Sequence, residues 1–167
     1  SRAFVIAQAD DPAKRLVFVS ADLGSIEHHI TLAVIDRLQD RYGDVYTIKN
    51  VILSATHTHA GPGGYWHSRL DNSFDGGFYP EYFEAIVSGI TQSIVKAHED
   101  LQAGNIYLAK SQVANAGANR SIAAYLENPQ EERDQYTENT PTEMTLLKFA
   151  DHSGAIGVLN WYALHPT

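Results

Sequence analysis

The residue types best suited to chemistry are two histidines, His57 and His59, in the stretch THTHAGPGG at positions 56–64. An apolar run at 51–56 precedes them and predicts a strand. In an extended chain, residues i and i+2 point to the same side, so both imidazoles can converge on one point. Neutral imidazole is a common metal ligand. The pattern therefore indicates a metal site, and the alternative is a pair of loop histidines bonded to their neighbours.

Glycines follow the histidine pair and include Gly63 and Gly64, beside the rigid Pro62. Glycine accepts positive φ angles and lets the backbone approach a ligand closely, because it has no Cβ. We interpret this segment as the wall of a ligand site. The alternative is a flexible turn.

His165 and Arg120 are further candidates. His165 ends an apolar run in which Leu159 and Trp161 share one face by alternation, and we predict that this face is buried. It is a ligand or a satisfied core histidine. Arg120 lies in a loop with few basic residues, where a guanidinium can bind a carbonyl or an oxyanion through two N–H groups. A solvated arginine is the alternative. The remaining histidines considered are interpreted as structural or surface residues: His28, His29, His98 and His152.

The composition excludes several kinds of active site and binding partner. The 167-residue sequence has no cysteine, which excludes thiolate zinc sites and cysteine nucleophiles and leaves His and carboxylates as metal ligands. A net charge of -8 disfavours nucleic acid as a partner. No run approaches the roughly 18 apolar residues of a spanning helix, and no secretory leader pattern opens the sequence. The dinucleotide-binding, Walker, HExxH and GxSxG patterns are also absent.

The elements that must position these residues alternate between strands and helices. Helical periodicity runs over 26–42, with Gly43 as a stop, and over 81–101. Strands are predicted at 2–9, 16–22, 51–56, 105–113, 145–149 and 155–164, with loops at 57–80 and 114–141 and a hairpin turn at 151–154. This order predicts an α/β fold: a layered domain with a mixed β-sheet and flanking helices. We expect residues 1–167 to be part of a single catalytic domain without an internal boundary, and the chain to be a fragment.

Three segments together resemble the neutral (non-lysosomal) ceramidases. They are THTHAGPGG at 56–64, NRS at 119–121 with Tyr125 and the NP pair at 128–129, and NWYALHP at 160–166. ADLG at 21–24, NV at 50–51 and TEM at 142–144 also look like that family, so the resemblance covers nearly the whole chain. Two positions depart from it: Ala60 stands where serine is usual, and Ile122 where many members have proline.

The resemblance implies a zinc (Zn2+) hydrolase. By it, His57 and His165 would be zinc ligands, and His59 and Arg120 would be catalytic residues. The expected substrate-binding residues are Gly63, Gly64, Tyr65 and Asn119. A glutamate and a tyrosine ligand and an active-site serine are expected beyond Thr167. The fragment alone is therefore expected to be inactive.

The implied reaction is hydrolysis of the N-acyl amide bond of ceramide to sphingosine and free fatty acid. Ceramide is then the lipid partner, with peripheral contact to a membrane surface, and the location is secreted, periplasmic or cell-surface. Aromatic residues between Tyr65 and Phe83 follow the histidine motif, and we suggest that they help to line the entrance for a lipid chain; the alternative is ordinary loop packing. Two alternatives stay open: another zinc amidohydrolase in which His57 and His59 both bind metal, and a noncatalytic lipid-binding module of the same fold.

Overall fold

The computed structural model describes residues 1–68 and 76–165, which form two compact units, 1–101 and 102–165. Unit 1 contains β1 (Arg2–Ala7), β2 (Arg15–Ala21), α1 (His28–Tyr42), a 3₁₀ turn (Gly43–Val45), β3 (Val51–Ala55) and α2 (Pro80–Glu99). Unit 2 contains β4 (Asn105–Gln112), α3 (Ile122–Leu126), α4 (Gln130–Arg133), β5 (Glu143–Asp151) and β6 (Gly154–Tyr162).

The sheet of unit 1 is mixed, with the order β1-β2-β3. β1 is antiparallel to β2, with Phe4 opposite Phe18, and β2 is parallel to β3, with Val19 opposite Leu53. Helix α1 is the crossover between the two parallel strands. Their carboxyl ends therefore lie at the same edge of the sheet, which is where ligands bind in many α/β folds.

The core of unit 1 is formed by the apolar faces of both helices and by the inner face of β2. Alternate residues of β2, Val17 and Val19, are fully buried. In α1 the buried residues Ile30, Val34 and Leu38 are four positions apart, so they share one face. In α2 the corresponding buried residues are Val87, Ile90 and Ile94. The alternation and the helical period seen in the sequence therefore produce this core.

Local chemistry explains where α1 ends and where α2 begins. The residue after α1 is Gly43, whose φ of 60° suits glycine and whose N–H donates to the Gln39 carbonyl. Helix α2 begins with Pro80 in its first turn, where a missing N–H costs nothing. Glu81 in the first turn and Lys96 in the last complement the helix dipole.

Unit 2 is built on an antiparallel sheet with the order β4-β5-β6. The β5–β6 turn is closed by the Asp151 carboxylate. One of its oxygens accepts hydrogen bonds from the Ser153 N–H (2.7 Å), the Ser153 hydroxyl (2.6 Å) and the Gly154 N–H (3.1 Å). These bonds hold the pKa of Asp151 below its usual range. Gly154 has a φ of 128°, which explains the glycine.

The structure confirms the predicted α/β class and differs in details. The described strands form two three-stranded sheets, of which only that of unit 1 is mixed. The predicted loop 114–141 contains α3 and α4, which are too short to give a periodic signal. Of the predicted loop 57–80, residues 69–75 lie outside the described part. The prediction of a single domain stays a prediction.

The predicted buried face of the last strand was wrong in part. Leu159 is buried at 9% exposure, but Trp161 is 40% exposed and His165 is exposed as well. Alternation shows which residues share a face, and burial depends on what covers that face. Within the described part of unit 2, α3 and α4 bury none of their side chains.

A histidine near the end of α2 is held in its neutral form. His98 Nδ1 lies 2.6 Å from the hydroxyl of the fully buried Tyr46 and 3.3 Å from Arg15 Nη1. Because a guanidinium N–H can only donate, Nδ1 is the acceptor, and the Tyr46 hydroxyl donates to it as well. Burial lowers the pKa of His98 below its usual 6.5, and the positive charge of Arg15 lowers it further.

The unfolded chain therefore binds a proton at His98 more readily than the folded chain does. We expect the free energy of unfolding to be fully supported above pH 6.5 and to decrease as the pH falls through the lowered pKa of His98. Urea unfolding at about pH 7.5 and about pH 5 measures this decrease. In His98→Gln the decrease should be smaller, while in His152→Gln, in an exposed turn, it should match the wild type. Equal decreases in all three would contradict the assignment.

Candidate active site

His57 lies in the loop after β3, at the carboxyl edge of the parallel strands. Its Nδ1 lies 2.7 Å from the carbonyl oxygen of Gly24, in the loop after β2. Since a carbonyl only accepts, Nδ1 carries the proton and the lone pair of the neutral ring is on Nε2. The backbone of His57 has a φ of 59°, a left-handed conformation that costs energy in a residue other than glycine. Such strain is frequent at functional sites.

His59 meets His57 edge to face, with ring centroids 5.0 Å apart and planes at 80°. The two rings therefore come together, as the sequence suggested. The path between them differs from the prediction, because β3 ends at Ala55 and the left-handed His57 interrupts the extended chain. Both side chains are exposed in unit 1, so a ligand can reach them.

Two of the glycines after the histidines, Gly61 and Gly64, are closely packed. A Cβ at Gly61 would lie 3.3 Å from Thr58 Cγ2 and 3.6 Å from the Asp22 carbonyl oxygen. Gly64 has a φ of 71°, and a Cβ there would lie 2.5 Å from Tyr79 Cδ2. The Gly64 carbonyl also accepts a hydrogen bond from the Tyr79 N–H at 2.7 Å. Gly64 thus joins the loop that carries His57 and His59, residues 56–65 (the histidine loop), to the start of α2. Gly63 is half-buried, and a ligand contact there stays a prediction.

Tyr65 holds the histidine loop in place through its buried side chain. Its side chain is 1% exposed, and its hydroxyl donates to the Ser25 carbonyl (3.0 Å) and accepts from the Ser25 N–H (3.3 Å). Its ring stacks on Trp66 with centroids 5.1 Å apart. This packing fixes the loop on the segment that follows β2. The predicted contact of Tyr65 with substrate stays a prediction.

The other candidate residues lie in unit 2. Asn119 is half-buried; its side-chain oxygen accepts from the Ser121 N–H (2.9 Å) and its amide donates to the Asn139 carbonyl (3.2 Å). This arrangement shapes the chain around Arg120, which is exposed just before α3. His165 is exposed beyond the end of β6. The roles of these three residues stay predictions.

One group of residues with functional potential was not found by sequence reasoning. Glu27, His29 and His67 come together in unit 1, with one potential ligand atom from each lying within 4.8 Å of the others. Burial raises the pKa of Glu27, but hydrogen bonds from His67 and His29 lower it by more, so the pKa is below its usual 4.5. No short spacing motif connects residues 40 positions apart, so the sequence carried no signal for this group.

The fold and the site define an α/β protein with a histidine pair at the carboxyl edge of parallel strands. Its sequence matches, over residues 1–167, the family model described as neutral/alkaline non-lysosomal ceramidase, N-terminal. The chain belongs to this family, which confirms the resemblance seen in the sequence.

Individual relatives agree with this placement. The chain is 46% identical to a neutral ceramidase of Oryza sativa subsp. japonica and 40% identical to one of Pseudomonas aeruginosa, over 100% of its own length and 21% and 25% of theirs. The crystal structure of neutral ceramidase from Pseudomonas aeruginosa covers 98% of this chain with a TM-score of 0.91 and 40% identity. A structure described as a ceramidase complexed with C2 matches with a TM-score of 0.90. The chain thus spans about a quarter or less of these relatives.

No helix in the described part of the chain has the length and apolar character needed to cross a membrane.

The role of Gly64 can be tested by adding a methyl group. We expect Gly64→Ala to lower the free energy of unfolding by about 1–3 kcal/mol, because the Cβ meets the Tyr79 ring and the φ is positive. Urea unfolding provides the measurement. Gly89→Ala is the matched control, since Gly89 is helical and a Cβ there meets nothing within 4 Å, so stability should be unchanged or slightly higher. Equal effects of the two substitutions would contradict the close-packing argument.

Proposed function

We propose that this chain provides part of the active site of a zinc-dependent hydrolase that cleaves the N-acyl amide bond of ceramide to sphingosine and a fatty acid. Family membership supports the substrate and the reaction. The observation that carries the chemical proposal is the hydrogen bond from His57 Nδ1 to the Gly24 carbonyl. Metal-binding histidines usually donate their second ring N–H to such an acceptor, which fixes the tautomer and the ring orientation.

The residues fit zinc. A neutral imidazole whose lone pair is on Nε2, exposed at the carboxyl edge of a parallel strand pair, is a suitable zinc ligand. We propose that His57 and His165 are two of the ligands, and that a glutamate and a tyrosine, implied by the family resemblance, complete the set. When bound, zinc supplies a hydroxide nucleophile near neutral pH and polarises the amide carbonyl.

The chain's other polar residues have distinct roles in this proposal. A ring N–H of His59 donates to the substrate oxygen that gains negative charge, or His59 transfers a proton during amide cleavage. The Arg120 guanidinium holds the polar head of the substrate through two N–H groups. Gly63 lets the backbone approach the substrate. Gly64, Tyr65 and Asn119 contact the substrate or support the residues that do.

The proposed substrate also determines where the protein works. Ceramide is a lipid, so the enzyme must take it from a membrane surface or from an aggregate, by peripheral contact. Aromatic rings that follow the histidine loop suit an apolar chain; His67 packs on Phe78 with centroids 4.5 Å apart and on Phe83 at 5.0 Å. A secreted, periplasmic or cell-surface location is part of the proposal and is taken from the family resemblance.

The first test is zinc-dependent release of fatty acid from a labelled ceramide by the full-length protein. His57→Ala and His165→Ala should each abolish turnover and lower the zinc content by one ion per chain, because each removes a ligand. His152→Ala, in the exposed β5–β6 turn, should retain both. Turnover that persists with a chelator or in either ligand variant would overturn the proposal. Bound zinc without ceramide turnover would indicate another amidohydrolase.

The roles of His59 and Arg120 are tested separately by kcat/KM. We expect His59→Ala to lower kcat/KM by about 10²- to 10³-fold with zinc retained, as for loss of one donor to a developing oxyanion. Arg120→Ala should act mainly through KM, and Arg120→Lys should recover only part of the loss, since lysine keeps the charge without the fork. An unchanged kcat/KM in either alanine variant would refute that residue's role.

A further inference from the structure

A second cluster of potential ligands lies in unit 1 and uses none of the residues proposed for hydrolysis. Glu27 is the residue before α1, His29 is in the first turn of α1, and His67 follows the glycine segment. Glu27 Oε1 lies 3.4 Å from His29 Nδ1, and Glu27 Oε2 lies 3.1 Å from His67 Nδ1. The two imidazole rings stack with centroids 4.3 Å apart and planes at 29°. Both rings thus bring Nδ1 to the same carboxylate.

Two of the three side chains are held in place by other contacts. The Glu27 side chain is only 14% exposed, and its Oε1 also accepts a hydrogen bond from the His67 backbone N–H at 2.8 Å. The ring of His67 packs against Phe78 and Phe83. The side chain of His29 is 55% exposed, so it can adjust to an ion. The cluster is therefore partly preorganised, which lowers the entropy cost of binding.

The donor set is that of a transition-metal site. Two imidazole nitrogens and one carboxylate oxygen occur together as zinc ligands, with a fourth position left for water. Calcium and magnesium prefer oxygen ligands, so they suit this cluster less well. The partial positive charge at the amino end of α1 disfavours a cation, and the negative charge of Glu27 offsets that effect. The balance favours a divalent ion that binds nitrogen.

We infer that Glu27, His29 and His67 bind one divalent transition-metal ion such as Zn2+. The ion links His67, just after the histidine loop, to Glu27 and His29 at the start of α1. It is distinct from the zinc proposed for hydrolysis, and its presence does not depend on that proposal.

The test uses Zn2+ alone and the full-length protein in a His57→Ala background, which removes the proposed hydrolytic zinc. After treatment with a chelator, zinc is titrated against a chromophoric competitor. We expect one tightly bound ion per chain. His29→Gln should weaken its binding by at least about tenfold, since even loss of a residue that only supports a ligand costs 10- to 100-fold. The matched control is His28→Gln, because His28 is exposed and outside the cluster, and its affinity should be unchanged.

His29→Gln is the principal variant because the Glu27–His67 contacts remain and folding is preserved. His67→Gln should weaken zinc binding by a similar factor. Thermal unfolding gives an independent measurement: zinc should raise Tm in the His57→Ala and His28→Gln proteins and raise it less in His29→Gln, because an ion that binds only the folded state stabilises it. Equal zinc affinities in His29→Gln and His28→Gln, or no zinc bound in the His57→Ala background, would overturn the inference.

Discussion

The arrangement of unit 1 around the candidate site depends on one hydrogen bond, from His57 Nδ1 to the carbonyl of Gly24. It joins the loops that follow two parallel strands, β2 and β3. These loops are neighbours only because α1 crosses over between the strands and returns the chain in the same direction. The bond also determines which nitrogen carries the lone pair, so it connects the sheet topology to the chemistry of the imidazole.

A second connection makes the first one rigid. The Tyr65 hydroxyl bonds both the N–H and the carbonyl of Ser25, the residue after Gly24. A left-handed His57 costs on the order of 1–3 kcal/mol, and such a conformation persists only where surrounding contacts determine it. At His57 the hydrogen bond to Gly24 is such a contact, and Tyr65 holds the neighbouring Ser25 in place. The segment 57–65 therefore combines a strained residue that presents a ligand with packed residues that hold it.

Family membership and local geometry support different parts of the functional proposal. The match over residues 1–167 and the 46% and 40% identities to named neutral ceramidases support the reaction and the substrate. The tautomer of His57 supports a metal, and it would do so without any relative. The inference about Glu27, His29 and His67 depends on geometry alone.

The sequence by itself determined the α/β class, the two long helices, the glycine that ends α1, and the histidine pair, because these depend on periodicity and on residues close in the chain. Its motifs were also sufficient to recognise the family. Tertiary structure decided the rest. The left-handed turn at His57, the acceptor on Gly24, the exposure of Trp161 and the meeting of Glu27 with His67 depend on residues brought together from distant positions or on which faces are covered. Local pattern carries no information about either, since distant pairs form only when the chain has folded.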